Sequence, residues 1–447
     1  MTLQLVKEGD DYVGAFRALA EKLARTEPSW LRRTREEAFT RFERVGFPTV
    51  HDEDWKYTNV APIAKSQFTP AVVASSLPIE RNGLESLAHE EMRAGRLVFV
   101  NGIFQRRLSF VEALPTGVGV VDLSEAGDLG QSETRVRGHF ERYGVNSENG
   151  FLALNTALFS GGVLLVIAKG VTVSTPIDLQ FVSISNNGDA PASFPRVLIV
   201  AEANSAATII ESYESPRGGN YFTDTVIDLA LDAGARLEHL KVQRESNRAF
   251  HIAATNVELG PGAHYDSTTI NLGAALSRHE IDVKMDHEGA ECLVDGLYMV
   301  DGNQHTDTHS MIDHRQPHCS SQQLYKGILD GRSRAVFNGK VYVRHGAQQT
   351  VAQQTNKNLL LSNEARVDTK PQLEIFADDV KCAHGAAVGQ LEADEIFYLE
   401  SRGLRPELAR NLLTYGFAEE VIEKIKIESI RRELDTAVLN RLHAELD

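Results

Sequence analysis

Apolar residues recur at helical spacing near the start of the chain, where Tyr12, Phe16, Leu19 and Leu23 fall on one stripe and Asp10 and Asp11 stand as caps. A second helix is predicted to start at Ser29 as its cap, to bury Leu31, Ala38, Phe42 and Val45, to end at Gly46 and to be stopped by Pro48. From about Leu97 the pattern changes to short β-branched runs separated by Gly, Asn and Asp, as in RLVFVNG, VLLVIAKGVTV, FPRVLIV and TDTVIDLAL. Helical periodicity is almost absent until Glu392. So many strands are compatible with a sandwich, a barrel or a solenoid.

A weak internal period bears on that choice. The segments NSAATIIES, DAGARLEHLKV, PGAHYDSTTI and EGAECLVDGL each carry a small turn residue, then Ala, then a strand, at Ala207, Ala235, Ala263 and Ala290. Those numbers are 28, 28 and 27 apart, a length that suits one coil of a β-helix with a tight corner at each Ala. DGLYMV (Asp295 to Val300) and NGKVYV (Asn338 to Val343) look like equivalent pieces further on. The period leaves the β-helix and the sandwich both open.

Beyond Glu392 helix returns. Asp394 is placed to cap EIFYLES, Gly403 to end it, Pro406 to open the next helix and Gly416 to break that one before a long charged segment. There Val421, Ile425, Ile430, Leu434, Val438 and Leu442 approximate one apolar stripe, which either packs on the chain's own core or docks another protein. The expected organisation is an N-terminal helical region (1–95), a β core (96–390) and a C-terminal helical region (391–447).

Composition narrows the function classes. Hydrophobic residues at 42% and charged residues at 24% mark a folded chain, and 447 residues suffice for a large core. A net charge of -16 opposes nonspecific attachment to nucleic acid or anionic membrane and leaves proteins as the expected partners. The opening MTLQLVKEGDDY lacks a basic segment followed by an apolar one, and the longest apolar run, GGVLLVIA, is too short to cross a bilayer, so a cytoplasmic location is expected. No GxxxxGK[ST], GxGxxG or GxSxG pattern occurs, which removes the usual signs of nucleotide hydrolysis, dinucleotide binding and hydrolase chemistry.

Two clusters carry candidate chemistry. In HTDTHSMIDHRQPHC, the side chains of His305, Asp307 and His309 alternate onto one face of a strand, and His314, His318 and Cys319 follow from the next turn. Their spacing matches no standard metal motif, and the same residue types serve as hydrogen-bonded ladders inside solenoids. The only cysteines, Cys292, Cys319 and Cys382, are far apart and form no CxxC pair, so neither a disulfide framework nor a zinc finger is expected. In DDVKCAHGAAVG, an extended backbone puts Cys382 and His384 on the same face. Thiolate and imidazole both ligate iron-sulfur clusters, so the pair suits half of a shared site; from the residues alone the favoured alternative is a buried free thiol beside a satisfied histidine, because free cysteines are usually buried and inert.

The stretch from His305 to Gly403, with DTHSMIDHRQPHCSSQQLYKGIL, AVFNGKVYV, AQQTVAQQTNKNLLLS, TKPQLEIFADDVKCAHGAAVG and FYLESRGL, resembles the SufB/SufD family of iron-sulfur cluster assembly scaffolds. GFPTVHDEDWKYTNV, LVFVNGIF and FLALNTALFSGG extend the likeness over nearly the whole chain, and the KCAHG form together with the tryptophan-containing N-terminal segment is similar to the SufD branch. The resemblance implies a mainly β fold: a right-handed parallel β-helix between two helical regions. It implies a non-catalytic subunit that pairs with SufB through the β-helix and binds the SufC ATPase through the C-terminal helical region, so that ATP acts only through SufC. It also places Cys382 and His384 at the SufB-SufD interface, as ligands of a transient iron-sulfur cluster shared with SufB. Whether the complex carries a reduced flavin, and whether the isolated chain forms a homodimer, stay open. The alternatives are a metal-dependent β-helix enzyme using the His305 to Cys319 cluster, and a purely structural subunit.

Overall fold

The structure, a computed structural model, describes residues 10–71, 95–123, 132–185 and 189–441. Its centre is a parallel β-solenoid of about seven turns flanked by helices. From Phe222–Leu231 onward successive strands alternate between two sheets, so each strand hydrogen-bonds to the strand two positions earlier. One sheet runs from Val118–Asp122 through Val163–Ile167, Phe222–Leu231 and His305–His314 to Arg366–Ile375, and the other from Ile103–Phe104 through Arg236–Arg244 and Ser320–Leu329 to Val380–Gly389. Pairing holds for ten residues without a slip, as from Phe222 on Phe250 to Leu231 on Leu259. The side-chain period of two then stacks every second residue into a column facing the interior.

The interior column residues Leu97, Phe99, Leu179, Ile209, Leu229, Val257, Val283 and Val341 are all buried in one cluster. Both outer faces are covered as well. The N-terminal helices, with Tyr12, Leu31, Phe42 and Phe151, pack on Leu198, Val200, Phe222, Ile252 and Leu276 of the first sheet. The C-terminal helices, with Val421, Ile425, Ile430, Leu434 and Val438, pack on Ile210, Leu240, Ile270, Leu297 and Met299 of the second. Burial on both faces explains why the core strands read as near-continuous apolar runs. The stripe of the last helices is therefore spent on the chain's own core and is not a docking face; its predicted member Leu442 lies outside the described residues.

The predicted period is real, with a corrected phase. Ala263 stands over Ala235 and Ala290 over Ala263, but the residue over Ala235 in the preceding turn is Ser205, because Arg236 pairs with Ala206. Ala207 pairs with Leu237 inside the strand. The corner column thus reads Ser205, Ala235, Ala263, Ala290, Cys319 and Thr350, every one buried. The residue before each takes the left-handed conformation, at φ 57° to 71° in Asn204, Gly234, Gly262, Gly289, His318 and Gln349. The lack of Cβ strain makes Gly the usual choice there, and the small buried residue that follows lets the turn close.

Local readings fail where a cap or a phase had to be guessed. DGLYMV and NGKVYV are not equivalent: they lie in different sheets, and Asp295 pairs with Leu324 while Asn338 pairs with His309. The second helix is Ser29–Val45, with Pro28 at the cap position and no side-chain cap, so Ser29 is already helical; Gly46 does end it, at φ 66°. Likewise Glu392, not Asp394, precedes Ala393–Ser401, and Asp394 sits in the first turn. Gly416 does not break its helix, which runs as Pro406–Ile422, since tertiary packing outweighs the ~1 kcal/mol propensity cost of one glycine. The first helix is Asp10–Leu23; the proposed capping side chains of Asp10 and Asp11 lie outside the described residues. Two helices, Ser132–Phe140 and Gly150–Leu158, lie within the stretch read as strand. The second is buried on all sides, so it has no polar stripe to reveal it.

Candidate functional site

The last turn of the solenoid consists of Arg366–Ile375 and Val380–Gly389, and each is the final strand of its sheet. Edge strands present unpaired backbone donors and acceptors, and here the inward columns above the last paired strands end without a cover. Ile375, Phe376 and Val388 are consequently exposed.

Cys382 and His384 lie on this terminal strand, in register with Ala352 and Gln354. Ala352 and Gln354 are buried, so the column they belong to points inward and the thiol and imidazole occupy its unfinished end. Cys382 packs partly against the core cluster, and His384 is exposed. Two residues apart on a strand, their backbones are about 7 Å apart, close enough to present two donors to one cluster. Burial pushes the Cys382 thiol up, opposed by the backbone N–H of Ala352. The shift favours the thiol over the thiolate, so a metal bound there would have to displace a proton. Cys292 and Cys319 are buried, and burial raises both thiols too. Cys382 alone of the three is within reach of another molecule.

The His305 to Cys319 residues do not converge. His305, Asp307 and His309 share the outer face of His305–His314, where Asp307 Oδ2 accepts from Thr58 Oγ1 and from Arg278 at 2.5 Å each, and Oδ1 lies 3.1 Å from His309 Nε2. Arg278 also lies 3.7 Å above the Trp55 ring and donates to the Asp54 carbonyl. The Arg278 charge, with His309 and these hydrogen bonds, overcomes the burial penalty and holds the Asp307 carboxyl well below the usual range. This buried ion pair locks the segment around Trp55 onto the solenoid. His314 lies on the opposite, interior face against Ser321 Oγ at 2.8 Å, and burial lowers it to about 4. His318 is a left-handed corner residue, and Cys319 belongs to the small-residue corner column. Among the described residues no three His, Cys, Asp or Glu side chains come together as a metal site.

Sequence reasoning missed an interior polar ladder. Gln323 Nε2 donates to Ser310 Oγ at 2.7 Å, and Gln354 Nε2 donates to Gln323 Oε1 at 2.6 Å. Tyr298, Asn356, Asn358 and Thr369 form a second network beside it. Alternate Gln and Asn within SSQQLYKG and AQQTNKN were the available signal.

The solenoid thus ends on an uncovered strand that carries a thiol and an imidazole on one face. The chain belongs to the SufBD family: the SufBD protein N-terminal region model matches residues 6–179, and the model of the SUF system FeS cluster assembly SufBD core domain matches 183–417. An iron-sulfur cluster assembly SufBD family protein of Synechocystis sp. is 35% identical over 92% of this chain and 91% of its own length. The iron-sulfur cluster assembly protein SufD of Escherichia coli is 32% identical over 89% and 90%, and that of Bacillus subtilis 27% over 92% and 94%.

Proposed function

We propose that this chain is the SufD-type subunit of a cytoplasmic complex with a SufB-type paralogue and a SufC-type ATPase. It catalyses nothing itself; it holds part of the site in which an iron-sulfur cluster is built. The observation that carries this reading is the placement of Cys382 and His384 on the last, uncovered strand while Cys292 and Cys319 are buried. Covering that end with a second solenoid satisfies the edge backbone groups, buries Ile375, Phe376 and Val388, and adds the donors that two residues cannot supply.

The ATPase acts through the C-terminal helices. Phe397, Tyr398 and Leu412 are exposed there and offer an apolar contact. The same helical unit is tied to the second sheet, with Lys424 Nζ 2.5 Å from Asp295 and Lys326 Nζ donating to the Phe417 carbonyl at 2.9 Å. Movement of the helices on ATP binding is thereby passed to the strands, and the end site opens to admit iron and sulfide. Cargo binding displaces the Cys382 proton, and His384 contributes a neutral imidazole nitrogen.

Anaerobic purification of the tagged chain from its own cells tests this reading, with co-purifying chains identified and iron, sulfide and flavin measured. An ATPase and a paralogous chain should appear, and the Cys382→Ala, His384→Ala double variant should keep both partners while losing most of the iron. Wild-type iron in that double variant would leave the pair as packing residues and refute the ligand assignment.

A further inference from the structure

The interior ladder stops one strand short of His384. Gln323 donates to Ser310 across the lumen and accepts from Gln354 Nε2, which fixes the sense of the chain of amides. Gln354 is 1% exposed, and its Oε1 is buried without a hydrogen-bond partner. An orphan amide oxygen in a solenoid core keeps its full desolvation penalty with no hydrogen bond to offset it. The next residue in that column is His384, one strand away at about 4.8 Å backbone separation.

A glycine makes room for this arrangement. A Cβ at Gly339, on the facing strand, would fall 2.3 Å from Gln354 Nε2 and 2.8 Å from Phe337 Cζ, although the backbone there is not left-handed. The Gln354 amide, with the Phe337 ring beside it, occupies the space a side chain at 339 would need.

We propose that Gln354 is the positioning residue of His384. When a partner covers the end of the solenoid, the imidazole turns inward and one ring N–H donates to Gln354 Oε1. That bond selects one neutral tautomer and aims the other nitrogen at the cluster, as an outer hydrogen bond does for most metal-ligating histidines. The inference rests on the reading of His384 as a ligand, and its test separates the two.

The complex with both partners is prepared anaerobically and iron-free, then titrated with Fe(II), and the His384 ring nitrogens are followed by 15N NMR before iron is added. Wild type shows one fixed tautomer. Gln354→Leu averages the two ring nitrogens and weakens iron binding by about 10-fold or more. Gly339→Ala displaces the flexible Gln354 amide and reproduces both effects without changing residue 354. Gln354→Glu keeps an acceptor at that point, and Gln323 adapts by flipping its amide and accepting from the Ser310 hydroxyl; tautomer and affinity stay as in wild type. If His384→Ala weakens iron binding while Gln354→Leu and Gly339→Ala retain both wild-type affinity and a fixed tautomer, the positioning role is wrong and the ligand assignment stands. If His384→Ala binds iron as wild type does, the ligand assignment falls and this inference with it. Should Gln354→Leu fail to fold, Gly339→Ala and Gln354→Glu decide alone.

Discussion

The two ends of the solenoid are built differently. At the N-terminal end the strand order turns antiparallel, with Ile103–Phe104 against Arg96–Val100 and Val118–Asp122 against Val163–Ile167. Phe99, Phe181 and Tyr213 fill the lumen there in a continuous stack, each ring centroid 4.6 Å from the next. At the C-terminal end the strands stay parallel to the last one. Ile375, Phe376 and Val388 stand exposed on this last turn. Repeat folds need capped ends for solubility, and of the two ends the C-terminal one lacks a cap among the described residues.

Substitutions on the two sides of this contrast should differ in kind. Phe151 is buried against Phe47, Trp55 and Phe222 under the N-terminal helices, so Phe151→Ala should cost about 3–5 kcal/mol in urea unfolding. A loss below about 1 kcal/mol would mean that the helical cover contributes little to the solenoid. Asp307→Asn leaves the buried Arg278 charge partly unpaired; with Glu280 still 2.6 Å away, the loss should sit near the lower end, about 3 kcal/mol. Limited proteolysis near Trp55 should accelerate with it, and an unchanged cleavage rate would show that the ion pair does not fasten this segment.

His314 gives a pH-dependent version of the same question. Its folded pKa of about 4 is below the ordinary 6.5, so the unfolded chain binds the proton first as pH falls. Its full contribution is present above pH 6.5 and is lost as pH falls toward 4, in total about 3 kcal/mol. Asp178, pushed up to about 7 by burial despite Arg96, runs the other way: its contribution is present below 3.8 and lost as pH rises through 7. Comparing His314→Gln with wild type between pH 6.5 and 4 isolates the imidazole, and the variant should have the shallower acid slope; equal slopes would refute the assignment. The smallest stability effect belongs to the open end. Val388→Ala should change unfolding by no more than about 0.5 kcal/mol while weakening capture of the paralogous partner. A destabilisation matching that of Phe151→Ala would show that the open end is already packed in the isolated chain.

Much of the fold was legible because strands and corners leave local signatures. The shift from helical spacing to β-branched runs near Leu97, the recurrence at Ala235, Ala263 and Ala290 and the stripe from Val421 to Val438 each follow from side-chain period. The same logic put Cys382 and His384 on one face. It failed at Ala207, where a longer turn displaced the corner by two residues onto Ser205, and at Gly150–Leu158, where full burial erased amphipathicity. It also grouped His305, His314 and Cys319, of which the pleat sends His305 outward to Thr58 and His314 inward to Ser321, while Cys319 closes a buried corner.

The sequence by itself determined a strand-rich core with helices at both ends, and its long motifs made family membership readable; its own period left the coiled stack and the sandwich open, and the resemblance chose between them. Only the tertiary structure decided that Val380–Gly389 is the last rung, that the terminal apolar stripe faces inward, and that Gln354 Oε1 is left without a donor beneath His384. The physical reason is that a strand's pattern reports which side of it is buried against neighbours, while its rank in the stack depends on which strands lie above it, a property held by no single segment.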